Sequence, residues 1–309
     1  TMEYAVRNYS DDLFTKLEDF YREPVGGIFR PKNKGHRFLE KILLKPNFNP
    51  KRDLFVAEMG DTVVGILLII SEHKIKRIVL NCHVHHNFPY QKVASALWER
   101  GNHRCQDIGG DKIHVCLHEN FREGRVFFTE SGFSPVRVHV ELERDLEPAH
   151  MLSEEPEIGQ VAHFNEDDER LLADLQNRIF TGSWGFSPNS AIDIKYYLDL
   201  IQCRVSDVLL LKDETEVIGY LWAHPSVGSD PALKKGRIHM FGIAPEFQGR
   251  GLGKKLLRIG LEDMRDKEYR TVELTVDEEN RPAFALYDSL GFKEKFTSIW
   301  YEKSLQSQP

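Results

Sequence analysis

At 309 residues, with 41% apolar and 29% charged side chains, the chain has a globular composition and the length of two ordinary domains. Its formal net charge of −7 arises almost wholly after residue 150, and no basic block marks a nucleic-acid surface. No apolar run reaches the roughly 18 residues of a membrane span, no signal-peptide pattern is read, and Cys82, Cys105, Cys116 and Cys203 form no C-x-x-C pair; a cytoplasmic chain with reduced thiols and neither membrane nor nucleic-acid partner is expected.

In chain order, Asp53–Glu58 reads as a strand, Gly60-Asp61 as a polar turn, and a second strand follows that carries Gly65. Ten of the 13 histidines precede residue 151, with His83, His85 and His86 clustered and His103 and Cys105 further on. Their spacing matches no closed zinc motif, so no metal is expected. The stretch from Glu143 to Gln160, rich in Glu and without periodicity, marks a boundary. The expected division is a domain over 1–145, a linker over 146–159 and a second domain over 160–309.

The second half repeats the pattern. Asp207–Lys212 is a strand, Asp213-Glu214 a turn, and the next strand carries Gly219. The strand Ile238–Ile243 leads through Ala244-Pro245 into Gln248-Gly249-Arg250-Gly251-Leu252-Gly253. An amphipathic helix follows, with Leu256, Leu257, Gly260, Leu261 and Met264 on one face. A strand, a glycine loop and a helix N-terminus together can hold phosphate oxygens on backbone N–H groups. The loop lacks both the Walker pattern and the Gly-x-Gly-x-x-Gly dinucleotide spacing. Thr271–Val276 then alternates as a strand, and Asn280-Arg281-Pro282-Ala283 opens a short helix containing Leu286-Tyr287. Gly291 closes that helix, and Phe296–Tyr301 is the last strand.

Two offsets align the halves. At 159, Val84 pairs with Ile243, Phe128 with Tyr287, and Gly132-Phe133 with Gly291-Phe292; at 154, the Asp53 strand and Gly65 pair with the Asp207 strand and Gly219. Read across at 159, Pro89-Tyr90-Gln91-Lys92-Val93-Ala94 stands where the second half has its glycine loop. The first domain is therefore expected to be degenerate and non-catalytic.

The loop matches the Q/R-x-x-G-x-G/A signature of the GNAT superfamily of N-acetyltransferases, and N-x-x-A-x-x-L-Y-x-x-L-G-F resembles the C-terminal half of its core. The resemblance runs from Val161 to Ser304. It implies an α+β fold of two tandem GNAT-like domains, each a mixed, mostly antiparallel sheet flanked by helices. The tandem arrangement resembles that of mycothiol synthases, which pair a degenerate domain with an active one. The resemblance further implies acetyl-CoA as acetyl donor, its pyrophosphate held by Gln248, Gly249, Arg250, Gly251, Leu252, Gly253 and Lys254. Phe241, Gly242 and Ile243 would follow the pantetheine arm, with Asn280 and Ala283 at the cofactor and Tyr287 as the acid for the leaving thiolate.

Many relatives carry a Glu where this chain has Arg237. His239 and Glu273 are alternative bases, and the pKa of His239 is expected to move only moderately from its usual value near 6.5. Trp184 and Phe186, in Phe180-Thr181-Gly182-Ser183-Trp184-Gly185-Phe186, and Tyr301 are candidates for the acceptor wall; packing as a lid is the other reading of the first two. The expected activity is acetyl transfer to a primary amine of a small molecule or peptide. The alternatives are a CoA-binding regulatory or scaffold protein without turnover, and transfer of another acyl group or to a protein N-terminus.

Overall fold

The computed structural model describes residues 4–305 apart from 23–24, 27–34, 147–159, 166, 201–204, 215 and 227–230. The expected linker falls outside the described residues from 147 onward, as does Cys203. The chain divides into two compact units, one of Thr1–His139 with Phe296–Pro309 and the other of Val140–Lys295.

The first unit begins with β1 (Ala5–Asn8), α1 (Phe14–Arg22), β2 (Val25–Gly26), α2 (Gly35–Leu43) and α3 (Pro50–Asp53). It continues through β3 (Leu54–Met59), β4 (Thr62–Glu72), β5 (Arg77–His85), α4 (Tyr90–Ile108), β6 (Lys112–His118), α5 (Arg122–Glu130) and the start of β7 (Ser134–Asp145). Its strands run in the order β1-β3-β4-β5-β6, antiparallel except for the β5–β6 pair. Strand alternation divides the apolar residues between two faces. Leu54, Val56, Ile66 and Leu68 pack against Leu13, Leu17, Phe20 and Leu39, while Phe55, Leu67 and Ile69 pack against Leu97, Cys105, Phe127 and Phe128. Burial pushes the thiols of Cys82, Cys105 and Cys116 up to about 12, and none of the three is bridged.

The second unit contains the end of β7, β8 (Gln160–His163), α6 (Glu169–Phe180), α7 (Ala191–Leu200), β9 (Val208–Asp213), β10 (Glu216–Pro225) and β11 (Lys235–Ile243). It closes with α8 (Leu252–Asp266), β12 (Thr271–Asp277), α9 (Arg281–Ser289) and the start of β13 (Lys293–Ser304). Its strand order is β8-β9-β10-β11-β12, with only β11–β12 parallel. Residues of α6 and α7 cover Val208, Leu210, Tyr220 and Trp222. The expected apolar face of α8, Leu256 to Met264, is buried.

The contiguous division expected from the sequence misses an exchange of strand ends. From Phe296 onward β13 belongs to the first unit, antiparallel to β6 from Ser298↔His118 to Ser304↔Lys112. From Val140 onward β7 belongs to the second unit, where Leu146 N donates to Arg270 O at 2.7 Å.

The repeat is also visible in packing. Gly101 of α4 sits over Leu67 of β4, and Gly260 of α8 over Leu221 of β10, each with no room for a Cβ. A Cβ on Gly65 would lie 2.6 Å from Val93 Cγ1 and 3.2 Å from His83 O; one on Gly219 would lie 2.5 Å from Ile243 Cδ1 and 3.0 Å from Gly242 O. Backbone cannot yield as a side-chain tip can, so Gly219→Ala is expected to destabilise the chain by about 1–3 kcal/mol. Urea unfolding of the full-length chain measures this.

Candidate active site

The site begins where β11 and β12 separate. Their parallel ladder has three pairs, Lys235↔Thr271, Gly236↔Val272 and Arg237↔Glu273, and ends there. On the other side of β11 the register with β10 shifts between Trp222↔Met240 and Ala223↔Ile238, leaving His239 as the extra residue of a bulge. Beyond that point Ile238–Ile243 diverge from β12, and their peptide groups on that side have no strand partner among the described residues. The first unit has no such bulge: β4 and β5 pair without interruption from Gly65↔Val84 to Glu72↔Arg77.

Buried charge pins the base of the cleft. Arg237 Nη1 contacts Glu141 Oε1 at 2.6 Å and Glu273 Oε1 at 3.0 Å, and Nη2 donates to Glu141 Oε2 at 3.0 Å. Lys235 Nζ lies 3.5 Å from Glu273 Oε2, and Ser226 Oγ donates to Glu273. A buried carboxylate needs such partners. They leave Glu273, at 2% exposure, committed to Arg237 rather than standing free as a base.

The glycine loop lies at the open end. Gly249 and Gly251 have φ of 75° and 78°, a region in which a branched side chain is strained. Gly251 precedes α8 without a side-chain cap, and Lys255 N is the first loop-side amide bonded back, to Gly251 O at 3.2 Å. The N–H groups from Gly249 to Lys254 thus have no backbone acceptor among the described residues, which fits them to hold an anion at a helix N-terminus. Gln248 Nε2 donates to Ile243 O at 2.8 Å and ties the loop to the end of β11. Arg250 is exposed and donates to Glu246 O at 3.2 Å.

The loop, β11 and α9 converge. A Cβ on Gly253 would lie 3.5 Å from Phe241, 3.7 Å from Leu286 and 3.8 Å from Ile243. Phe241 and Tyr287 have ring centroids 6.5 Å apart, and Phe292 backs Tyr287 at 5.7 Å. Tyr287 is 8% exposed, its hydroxyl makes no hydrogen bond within the described chain, and burial raises its pKa. A phenol so placed stays protonated and can give a proton to a thiolate. Asn280 caps α9, its Oδ1 accepting from Ala283 N at 3.2 Å, so the cap alone occupies that oxygen. Gly242 has a packing reason: a Cβ there would meet Ile179 Cγ2 at 2.6 Å.

His239 stands apart from this group. Its ring contacts are Tyr197, Trp222 and His224, at 6.2, 4.8 and 5.7 Å. Burial, with His224 and Arg237 close by, drops its pKa to about 3, and burial drops that of His224 to about 4. The moderate shift expected from the sequence is therefore corrected. A neutral imidazole this weakly basic relays a proton and does not hold one taken from an ammonium.

Tyr301 is also corrected. It is 6% exposed, pairs with Val115 across β6 and belongs to the core of the first unit rather than to the second. Trp184 is half-buried, and Phe186 lies 5.4 Å from Phe180. Both sit on the segment after α6, which Asn177 and Asn189 tie down through reciprocal 2.8 Å bonds. The sequence reading missed Arg237 as a clamp, since its partner Glu141 is distant in sequence, and missed His224, which resembles an ordinary strand position until its burial beside His239 is seen.

The corresponding place in the first unit is filled. Helix α4 begins at Tyr90, so the stretch aligned with the glycine loop is already helical. Tyr90 meets Phe121, which stands at the position of Asn280, edge-to-face at 4.9 Å, and Phe127 at 6.0 Å.

The paired depressed histidines carry a pH signature. Each is neutral when folded and takes up a proton more readily when unfolded. Their stabilising effect is complete above the usual His pKa near 6.5 and is lost as pH falls toward about 4. Urea unfolding between pH 7 and pH 4 should show this decline, and His239→Phe should flatten it.

Comparison with known proteins agrees with this geometry. Residues 170–292 match the Acetyltransferase (GNAT) family. The chain is 28% identical over 260 residues to the mycothiol acetyltransferase of Tsukamurella paurometabola, covering 81% of this chain and 84% of that protein. It is 37% identical over 210 residues to the mycothiol acetyltransferase of Rhodococcus opacus, covering 63% and 66%. A tandem GNAT protein from the clavulanic acid biosynthesis pathway superposes with a TM-score of 0.71 at 15% identity, covering 99% of this chain and all of that one. With its splayed strands, glycine loop and capped Tyr287 helix, the chain is an acyltransferase of the GNAT family with a tandem architecture.

Proposed function

We propose that the second unit transfers the acetyl group of acetyl-CoA to a primary amine of a small molecule or peptide. The observation that carries this reading is the convergence of the β11–β12 opening, the free N–H groups of Gly249–Lys254 and the unpaired Tyr287 hydroxyl. The relatives named as mycothiol acetyltransferases support a small-molecule acceptor. In this reading the pyrophosphate meets the loop from Gln248 to Lys254, and the pantetheine follows Phe241, Gly242 and Ile243. Asn280 and Ala283 flank it, and Trp184 and Phe186 face the acceptor. The amine nitrogen bonds to the thioester carbon, the C–S bond breaks, and Tyr287 gives its proton to the departing sulfur. With Glu273 committed to Arg237, the amine proton leaves through water, with His239 as a relay. The unit of residues 1–139 is non-catalytic, its cleft closed by Tyr90 and Phe121. A cytoplasmic setting accords with the three unbridged thiols, and among the described residues no helix is long and apolar enough to cross a membrane.

The absence of a free carboxylate at the strand favours a second reading, a CoA-binding protein without turnover. Incubating the chain with acetyl-CoA and a panel of primary amines, with thiol detection of released CoA, separates the two. Amine-dependent release supports transfer, and binding without release supports the second reading.

Calorimetric titration should find one tight acetyl-CoA per chain. Gly251→Val should weaken it severely, because a branched residue resists the left-handed conformation and would crowd a phosphate held on the loop. A second equivalent site would contradict the closed first cleft.

Tyr287→Phe should lower turnover by roughly ten- to a thousand-fold with acetyl-CoA affinity little changed, since only a proton donor is lost. Steady-state rates alongside calorimetry measure this.

A further inference from the structure

Glu246 stands just before the glycine loop, on the single helical turn Pro245–Phe247 that follows β11. Its carboxylate is held from outside the loop. Arg178, in the last turn of α6, donates from Nε to Glu246 Oε1 at 3.0 Å and from Nη2 to the same oxygen. Its Nη1 donates to Glu216 Oε1, at the start of β10, at 2.8 Å. One guanidinium thus joins α6, β10 and the approach to the loop, all within the second unit. The next residue, Ile179, lies against Gly242 of β11, so the end of α6 is seated on the strand that leads into the loop.

Arg250 of the loop reaches the same glutamate without meeting its charge. Its Nη2 donates to the main-chain oxygen of Glu246 at 3.2 Å, and its guanidinium lies 5.2 Å from the Phe247 ring centroid. Among the described residues no carboxylate pairs with it. Arg250 is therefore a cation beside an acid that already serves another cation. The planar fork of Arg178, with two N–H groups on one oxygen, suits a carboxylate better than a single contact does. Both partners are partly exposed, so the pair adds little to stability. What it decides is which arginine the carboxylate neutralises.

We propose that Arg178 is a positioning residue for the cofactor: by holding Glu246 it keeps Arg250 unpaired and available to the pyrophosphate of acetyl-CoA. This inference rests on the reading of Gln248–Lys254 as the phosphate-holding loop. When acetyl-CoA binds, Arg250 exchanges the neutral carbonyl of Glu246 for a phosphate oxygen, a stronger, charge-assisted acceptor. Without Arg178 the Glu246 carboxylate is released to pair with Arg250, and the phosphate then competes with it for the guanidinium. Because α6 runs on into the segment bearing Trp184 and Phe186, the same contact ties that segment to the phosphate end of the site.

Calorimetric titration of acetyl-CoA into the full chain tests this, with thermal melting on each variant and titrations run well below the lowest melting temperature. Arg178→Gln should weaken binding about five- to twenty-fold, and Arg178→Lys, which keeps the charge, should lose less. Adding Glu246→Gln to either variant should restore affinity to within about two-fold of wild type, because the competing carboxylate is gone. On an Arg250→Gln background, itself weakened, Arg178→Gln should cost no more than about two-fold further. A merely structural Arg178 gives a different pattern: the loss persists beside Glu246→Gln and is undiminished on Arg250→Gln, and either result overturns the proposal. If Gly251→Val binds acetyl-CoA as wild type does, the reading of the loop fails and this inference fails with it. If Gly251→Val is weakened while Arg178→Gln and Arg178→Lys keep wild-type affinity, only the present inference fails.

Discussion

The active site depends on a parallel strand pair that stops after three residues. A sheet is stable because every peptide group along it finds a partner. Here β11 gives up that pairing after Arg237, and the chain must offset the unmade bonds. The bulge at His239 turns β11 away from β12, while the ladder with β10 continues on its other side. Arg237, held between Glu141 and Glu273, fixes the last paired residues so that the strands part at a defined point. The glycine loop, Phe241 and Tyr287 are then arranged around the opening.

This explains the arginine at position 237, where the family resemblance implied a Glu. A lone carboxylate at position 237 would face Glu141 and Glu273, and like charges so close cannot all stay ionised. With Arg there, both acids are compensated and the charge becomes structural. Of the two histidines nearby, His224 is buried and His239 half-buried, and the pKa of each is lowered.

Features with local causes were legible in the sequence. The apolar face of α8, the Asn280 cap, the Gly291 terminator and the repeat follow from spacing over a few residues or from self-alignment, and each is present. The loop was legible because its glycines break the pattern of the surrounding elements. What was hidden needed long-range knowledge. Tyr301 reads as the last strand of the second half, yet it fills the first unit's core, because strand pairing is decided by partners and not by sequence neighbours. The depression of His239 comes chiefly from desolvation within the fold, with His224 and Arg237 adding to it, and period-two patterning cannot weigh any of these.

The exchanged strand ends also bear on how the two copies depend on each other. The first unit has no glycine loop at the aligned position, and Phe128 stands where the second unit has Tyr287. Yet its sheet is completed by residues 296–304, which follow directly on the helix that carries Tyr287. Deleting the first copy would strip the last strand of its partner β6, and a cut between the copies would leave the first without the strand it pairs with. Each half of the chain therefore holds residues that complete the other half's unit, and the two copies cannot be separated by a single cut.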